Sequence, residues 1–218
     1  MAKQEEAPFA RGTTYHDTDG TIDLNNLGGI NLEGKEYIFE DQDPRSAAGV
    51  AATRTGRPVK CRIVRNLSGT TLFGKYCALL GVTAGKVTQY ASGLVATAAT
   101  RGFPIDEYLP PAGVRNGDLF YVVVQGPAIM RTSMAGDITN SIALNAHLVA
   151  QTAVTSGATT AGRVGVRDTS LTAATSGVTT YDTTGLYDMI ANRIGLALSA
   201  RTTGETNADI LVDTFLSW

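Results

Sequence analysis

The chain has 218 residues, of which 17% are charged, and a formal net charge of −2. Such a weak charge excludes the broad basic field by which proteins hold nucleic acid or anionic membranes. No run of about 18 apolar residues predicts a membrane-spanning helix, and two cysteines are too few for a disulfide scaffold. The first residues lack the apolar core of a signal peptide, so we expect synthesis in a reducing cytoplasm.

The first 57 residues are rich in charges and in turn-forming residues. Asp-Gly, Gly-Gly and Asp-Pro pairs interrupt the apolar runs, and only residues 37–39 are typical of a short strand. A segment of this composition buries too little apolar surface to fold by itself. We therefore predict an extended N-terminal arm over residues 1–57, ordered against another surface, and a β-rich domain over residues 58–218.

The β-rich region begins with an alternating strand. Residues 59–64 place three apolar side chains on one face and Lys60 and Arg62 on the other, which is the period-two pattern of a half-buried strand. Further strand-like runs follow at residues 76–82 and 84–92, with glycines between them. These runs predict consecutive strands of a mainly β domain, either a β-sandwich or a β-barrel-like structure.

Basic residues crowd the start of this region. They are Arg54, Arg57, Lys60, Arg62 and Arg65. Their alternation with apolar residues favours a solvated strand face over a phosphate-binding patch, so we expect no nucleic-acid partner. We assign Arg54 and Arg57 to a protein-partner interface.

Residues 118–126 form the strongest predicted strand, a continuous aromatic and β-branched run. The Gly126-Pro127 pair is expected to end it, and residues 128–133 then continue as a separate strand. Residues 141–150 leave two alternatives open. Their alternation favours a strand, while their Ala and Leu content permits a helical turn.

The end of the chain predicts a hairpin. Alternating residues 194–199 are followed by a turn at 201–207 and a returning strand within residues 208–218. A helix through residues 186–198 is the alternative, since apolar residues recur there at helical spacing. A glycine in that run and the β-rich context favour the strand, preceded by a short helical turn at 185–192.

A repeated Thr-rich segment precedes this hairpin. Residues 152–160 recur as residues 172–180, with seven of nine positions identical. Two similar strand-turn segments explain the repeat, because Thr suits a pleated surface and Ser-Gly supplies the turn. The Thr/Ala/Gly-rich stretch 151–185 is too polar for a core and too poor in charge for an ordinary loop, so we predict a flat β-surface against a partner. Its interface candidates are Arg163, Arg167 and Tyr181.

Lysine is absent after Lys86. The remaining 132 residues carry seven arginines and ten acids, whereas five lysines occur in the first 86 residues. Protein interfaces are depleted in lysine and enriched in arginine and aromatic residues. The gap therefore indicates a surface that packs against a partner. A bias toward arginine codons is the alternative, which the five earlier lysines weaken.

Motifs that resemble catalytic or ligand sites are incomplete. Residues 69–76 approach a phosphate-binding loop, but a tyrosine replaces the required Ser or Thr. Residues 17–23 space aspartates like a calcium loop, but Gly28 stands where a bidentate carboxylate is needed. His16 and His147 lie in no catalytic pattern. We predict no catalytic, cofactor or metal site and no enzyme, although two carboxylates meeting in space stay open as a hydrolase alternative.

Residues 99–130 carry a recognisable order of elements: a Gly-x-Pro-Ile-Asp segment, a Pro-Ala-Gly-Val turn, an Asn-Gly-Asp-Leu-Phe entry, a valine strand and Gly-Pro-Ala. With residues 182–200 and 206–213, this order resembles the decoration or cement proteins of tailed-bacteriophage capsids. The resemblance implies a β-rich, non-enzymatic protein on the outside of an icosahedral head. It also implies binding to the major capsid protein and bridging of neighbouring capsomers.

The resulting hypothesis is a homo-oligomeric virion protein, a homotrimer rather than a dimer, on the capsid exterior. Its partners are the major capsid protein and itself, with no membrane, nucleic acid or cofactor. The alternative is a head-fibre or adhesin-like module that binds a host-surface glycan or receptor. Tyr181, Tyr187 and Trp218 would then be stacking platforms for the sugar.

Overall fold

The computed structural model describes residues 7–15, 32–42, 53–82, 89–95, 102–132, 142–150, 161–166, 193–201 and 209–215. Within these ranges the chain is mainly β, which confirms the predicted class, and none of them holds a helix that could cross a membrane. The strands there join one sheet. They are β1 (Glu36–Gln42), β2 (Thr53–Asn66), β3 (Cys77–Val82), β4 (Gln89–Leu94), β5 (Phe103–Pro104), β6 (Leu119–Arg131), β7 (His147–Ala150), β8 (Val164–Val166), β9 (Arg193–Ala197) and β10 (Asp209–Phe215).

A first ring of strands closes through β5. Strands β6, β2, β4, β3 and β5 are neighbours in that order. The chain after β5 returns to β6, because Ile105 forms a bridge with Val122 and the Asp106 amide donates to the Tyr121 carbonyl at 3.2 Å. The inner side chains form the first cluster, which contains Val64, Leu72, Ala78, Ala91, Phe103, Ile105, Leu109, Val114, Phe120, Val122 and Val124.

A second ring continues from the other end of β6. Strands β6, β10, β9, β7 and β8 are neighbours in that order, and Val164 of β8 bridges back to Thr132, directly after β6. The second cluster consists of Met130, Ile142, Leu148, Ala150, Val164, Ile194, Ala197, Ile210 and Val212, with Cys77 and Val95 from the first ring. The two rings therefore share one strand and touch where these two side chains meet the second cluster.

The shared strand corrects one prediction. Strand β6 runs through Gly126 and Pro127 without interruption, because this pair marks a change of partner rather than an end. The first half of β6 pairs with β2 and the second half with β10. A register shift between Lys60 and Cys61, which lie opposite Gln125 and Val123, introduces a bulge just before this pair. Pro127 itself lies opposite Asp213 of β10.

Other predicted strands are confirmed with adjusted limits. The run at 76–82 becomes β3, and the described part of the run at 84–92 lies in β4, while residues 84–88 fall outside the described residues. Strands β9 and β10 form the expected antiparallel pair, so the helical alternative over 186–198 is wrong where β9 lies. The helical turn at 185–192 falls outside the described residues. The ambiguous run at 141–150 ends in strand β7.

The predicted N-terminal arm is not confirmed, because its described parts pack against their own chain. Strand β1 pairs with β2, and β2 already begins at Thr53, before the expected boundary. Tyr15 and Leu119 exchange two backbone hydrogen bonds of 2.9 Å. The average composition of residues 1–57 is polar, but individual aromatic side chains in this segment supply the buried area. The resulting third cluster contains Leu32, Tyr37, Val59, Cys61, Ile63, Leu119, Tyr121, Val123 and Ala128, with Ala7, Phe9, Tyr15 and Phe39 packed against it.

Candidate interaction surface

The basic residues of β2 are all paired with carboxylates of the same chain. The pairs are Arg54 with Asp41 and Glu107, Arg57 with Asp213, Lys60 and Arg62 with Glu36, and Arg65 with Glu33. The positive charges of the cluster are therefore compensated within the chain, although the side chains of Arg57 and Lys60 are 54% and 38% exposed. Sequence analysis missed this because β pairing brings in the acids from other strands and loops.

Arg54 and Arg57 lie in different environments, although both were assigned to an interface. The Arg54 side chain is 19% exposed, and its Nη1 lies 2.9 Å from Oε1 of the buried Glu107. The Arg57 side chain is 54% exposed and bonds Asp213 Oδ2 at 2.6 Å. Arg54 therefore compensates the charge of a buried carboxylate, whereas Arg57 lies in an accessible cleft that Ile38 and Pro58 also line.

The other predicted contact residues do not join Arg57. Arg163 is buried, with its Nη1 donating to the Thr132 carbonyl at 3.4 Å and its guanidinium 5.9 Å from the Tyr76 ring centroid. This burial removes Arg163 from the accessible surface of the chain. Arg167 and Tyr181 lie outside the described residues, as do most of the predicted β-surface at 151–185 and the other aromatic residues of the glycan alternative.

An apolar row crosses the outer face of the second ring. Leu211 of β10 lies directly opposite Ile129 of β6, and the Leu198 amide donates to the Leu211 carbonyl at 2.7 Å. The neighbours of Leu211, Ile210 and Val212, are fully buried in the second cluster, so Leu211 points to the opposite face. All three residues of the row are half-buried, and the row therefore presents apolar surface to solvent.

Paired charges border this row. On one side of the row, two positions before Leu211 along β10, Asp209 bonds Lys75, and Arg131 Nε lies 3.3 Å from the same carboxylate. On the other side, two positions after Leu211, Asp213 pairs with Arg57. An apolar centre with a polar rim is the usual anatomy of a protein–protein interface. We call the row Ile129, Leu198 and Leu211, with its flanking ion pairs, the open face.

The sequence contains a signal for the open face. In the predicted C-terminal hairpin, apolar residues occupy both faces of the strands instead of alternating with polar residues. An antiparallel sheet with one solvated face normally shows polar residues on that face. Leu198 and Leu211 depart from that pattern, and the absence of lysine from the chain after Lys86 agrees with the same interpretation.

A pair of adjacent carboxylates does meet in space, but it is enclosed. The side chains of Asp106 and Glu107 are 0% and 1% exposed, and both bond Arg11 Nη2, at 3.1 and 3.3 Å. Burial lowers the pKa of Arg11, but the adjacent anions outweigh this effect, so the pKa lies above its ordinary value and the guanidinium stays charged. A general acid or base must reach the substrate, so this pair is not a hydrolase site.

The other candidate chemical groups lie in surroundings that indicate a structural rather than a chemical role. Cys61 and Cys77 are buried free thiols, and burial raises the pKa of each well above its ordinary value, which disfavours the reactive thiolate. The loop-like motif at 69–76 leads into β3 rather than into the helix that would hold a phosphate. Among the described residues, no three potential ligands gather into a metal site.

Comparisons with protein-family models, with curated proteins and with solved structures find no match for this chain. The open face and the ion pairs around it are therefore the features from which a function can be argued. They are surface features suited to contact with another macromolecule, whereas the side chains of the carboxylate pair Asp106 and Glu107 are 0% and 1% exposed.

Proposed function

We propose that this chain is a structural virion protein that binds the outer surface of a tailed-phage capsid and stabilises it by bridging major capsid protein subunits. The observation that carries the proposal is the open face, an accessible apolar row of Ile129, Leu198 and Leu211 between two sets of ion pairs. The lack of lysine after residue 86 and the resemblance at 99–130 support the same partner class.

The residues behind the resemblance have structural roles in the first ring. The Gly-x-Pro-Ile-Asp segment forms β5 and the closing bridge of Ile105 to Val122. The Pro-Ala-Gly-Val turn places Gly113 at φ +74°, where its missing side chain leaves room for the Leu72 carbonyl. These residues therefore have defined places in this fold, and the partner is proposed by analogy with the group that the sequence resembles.

Shell symmetry would multiply the contacts of such a protein. Each copy meets several neighbouring subunits, so many modest contacts add up to tight retention without a high affinity at any one site. A small apolar row with a charged rim suits this arrangement. We further propose that the chain assembles as a homotrimer, with sedimentation of the purified protein as the direct test.

The proposal can be tested by co-pelleting with expanded, undecorated capsids of the phage that encodes the chain. We expect saturable binding of the wild-type protein and at least about tenfold weaker binding of Leu211→Asp, because a charge in the apolar row is desolvated without a partner. Leu144→Asp is the matched control. Leu144 is also an exposed leucine, 59% accessible, but lies in the turn before β7, and its variant should bind like the wild type.

Failure of the wild-type protein to pellet with capsids at any concentration would refute the capsid proposal. Equal binding by Leu211→Asp would leave a capsid protein but remove the open face from its contact surface. Saturable binding to host cells that free sugar competes, without capsid affinity, would instead favour the adhesin-like alternative.

A further inference from the structure

Residues 7–15, which we call the strap, are held in a groove on the outer face of the first ring. Asp106, Glu107, Tyr108, Leu119 and Tyr121 line this strap groove. The ring of Phe9 packs 4.5 Å from that of Tyr121, whose hydroxyl donates to the Phe9 carbonyl at 3.0 Å. These contacts are those of a peptide seated in a recognition site rather than of a loop lying on a surface.

Arg11 is the anchor of the strap. It is 5% exposed, and its Nη2 reaches Asp106 and Glu107 at 3.1 and 3.3 Å. Its guanidinium also lies 5.0 Å from the centre of the Tyr108 ring, within the range of a cation–π contact. Two carboxylates and an aromatic face make a pocket specific for a guanidinium.

Backbone contacts fix the position of the strap after this anchor. The Gly12 amide donates to Asp106 Oδ2 at 2.8 Å. Gly12 has φ +77°, and a side chain there would stand 3.0 Å from Tyr108, so only glycine fits the turn. Tyr15 then adds a short antiparallel bridge to Leu119. The groove therefore recognises a sequence of the form Phe-x-Arg-Gly with a strand-bridging residue three positions after the glycine.

We propose that the strap groove is the docking site for residues 7–15 of a second copy of this chain. Each copy would place its strap in the groove of a neighbour, with every contact described above kept between copies instead of within one. Exchange of an identical element is a low-cost route to a closed oligomer, because no new interface has to be built. The proposal does not depend on whether the oligomer binds a capsid.

Chain length permits this exchange. Sixteen residues separate Tyr15 from Leu32, the next described residue. An extended chain of that length spans up to about 55 Å, which is enough to reach a neighbouring copy of a small domain. Docking of the strap in its own copy and docking in a neighbouring copy then differ chiefly in the effective concentration of the strap at the groove. Dense packing of copies raises this concentration for docking between copies.

The identity of the occupant follows from the chemistry of the groove. A second copy offers the phenylalanine, arginine and glycine at the spacing that the groove accepts, because the same three residues already occupy it within the chain. Strand-edge pairing of two β1 strands is a poorer route to self-association. Centred on Ile38, it would set Glu36 opposite Glu40, and like charges across a ladder are unfavourable.

A complementation experiment with two full-length variants tests the proposal. Arg11→Glu has an intact groove but a strap that the two carboxylates repel. The double variant Asp106→Asn, Glu107→Gln has an intact strap but a groove without its charged acceptors. We expect neither variant to exchange straps alone, and their mixture to form a heterodimer in sedimentation, since one productive strap-groove pair is available and the ring cannot close.

A labelled peptide with the sequence of residues 7–15 provides the second measurement, read by fluorescence anisotropy. It should bind full-length Arg11→Glu and bind the double groove variant at least about tenfold more weakly, the effect of losing charge-assisted hydrogen bonds. The matched control peptide carries Arg11→Ala. Circular dichroism establishes that each variant is folded. Equal binding by both variants or both peptides, or a mixture that sediments as two separate components, would overturn the proposal.

Discussion

The outer faces of the two rings differ, although both include the same strand β6. On the first ring, Tyr121 is fully buried beneath Phe9 and Phe39. On the second ring, Ile129 and its neighbour Leu211 are half-buried. The chain covers the first face with its own N-terminal residues and leaves apolar surface accessible on the second.

This difference distinguishes a face whose contacts hold the fold together from a face that is free to contact a different macromolecule. The covered face carries a complete apolar cluster and buried ion pairs that hold the N-terminal segments. The open face carries an apolar row with a charged rim and no lysine of its own except Lys75 at one end. Core substitutions on the covered face should therefore act on folding, and substitutions on the open face should act on capsid binding.

The largest effect is expected for Tyr121→Ala on the covered face. It removes a fully buried ring that contacts three aromatic residues, so the free energy of unfolding should fall by about 4 kcal/mol. Ile129→Ala, on the open face of the same strand, is the matched control and should cost about 1 kcal/mol. Urea denaturation measures both. Similar losses for the two variants would contradict the proposed contrast between the faces.

A smaller effect is expected where β6 passes from one ring to the other. Gly126 has φ +98°, and a side chain there would stand 2.4 Å from the Pro58 carbonyl. Gly126→Ala should therefore destabilise the fold by about 3 kcal/mol through backbone strain and overpacking. The control is Gly69→Ala, which has φ +75° but open space around it, and should cost about 1 kcal/mol. Equal thermal unfolding shifts would show that the close approach is unimportant.

The contributions of the buried Glu107 and of Glu36 near the surface to stability should respond to pH in opposite directions. Burial raises the pKa of Glu107 above its ordinary value of 4.5 more than Arg11 and Arg54 lower it. The native state then binds the extra proton, so the Glu107 contribution to stability is complete below 4.5 and is lost as pH rises through the raised pKa. Thermal unfolding across this range should show Glu107→Gln gaining stability relative to the wild type as pH rises.

Glu36 near the surface is the matched control for this titration. Burial tends to raise the pKa of Glu36, but hydrogen bonds from Lys60 and Arg62 outweigh it and lower the pKa below 4.5. Its contribution is therefore present above 4.5 and is lost as pH falls through the lowered pKa. Glu36→Gln should be less stable than the wild type at neutral pH and approach it in acid. Parallel profiles for both variants would contradict this assignment.

The smallest effect on stability is expected for Leu211→Ser on the open face. The side chain is half-buried, so the free energy of unfolding should change by less than about 1 kcal/mol. Capsid binding should nevertheless weaken, because the serine removes apolar area from the centre of the row. A variant that unfolds far more easily than the wild type would place Leu211 in the core rather than on an interaction surface.

Much of the strand pattern could be read from local sequence. Alternation along β2 correctly placed Val59, Cys61 and Ile63 on one buried face, because side chains alternate with a period of two in any strand. The continuous apolar run of β6 likewise reflects burial on both faces, by the first and third clusters. The prediction of a break at Gly126-Pro127 was wrong, because the strand continues through a bulge and a change of partner.

The sequence by itself determined the β class, the main strands and the incompleteness of the phosphate-loop and calcium-loop motifs, since these depend on residues close together in the chain. The tertiary structure alone decided which charges pair and which faces are covered. Arg57 meets Asp213 across 156 positions, and Arg11 meets Asp106 across 95. Pairing between strands that are distant in the sequence sets such contacts. Their desolvation cost and their electrostatic gain depend on burial, which local composition does not specify.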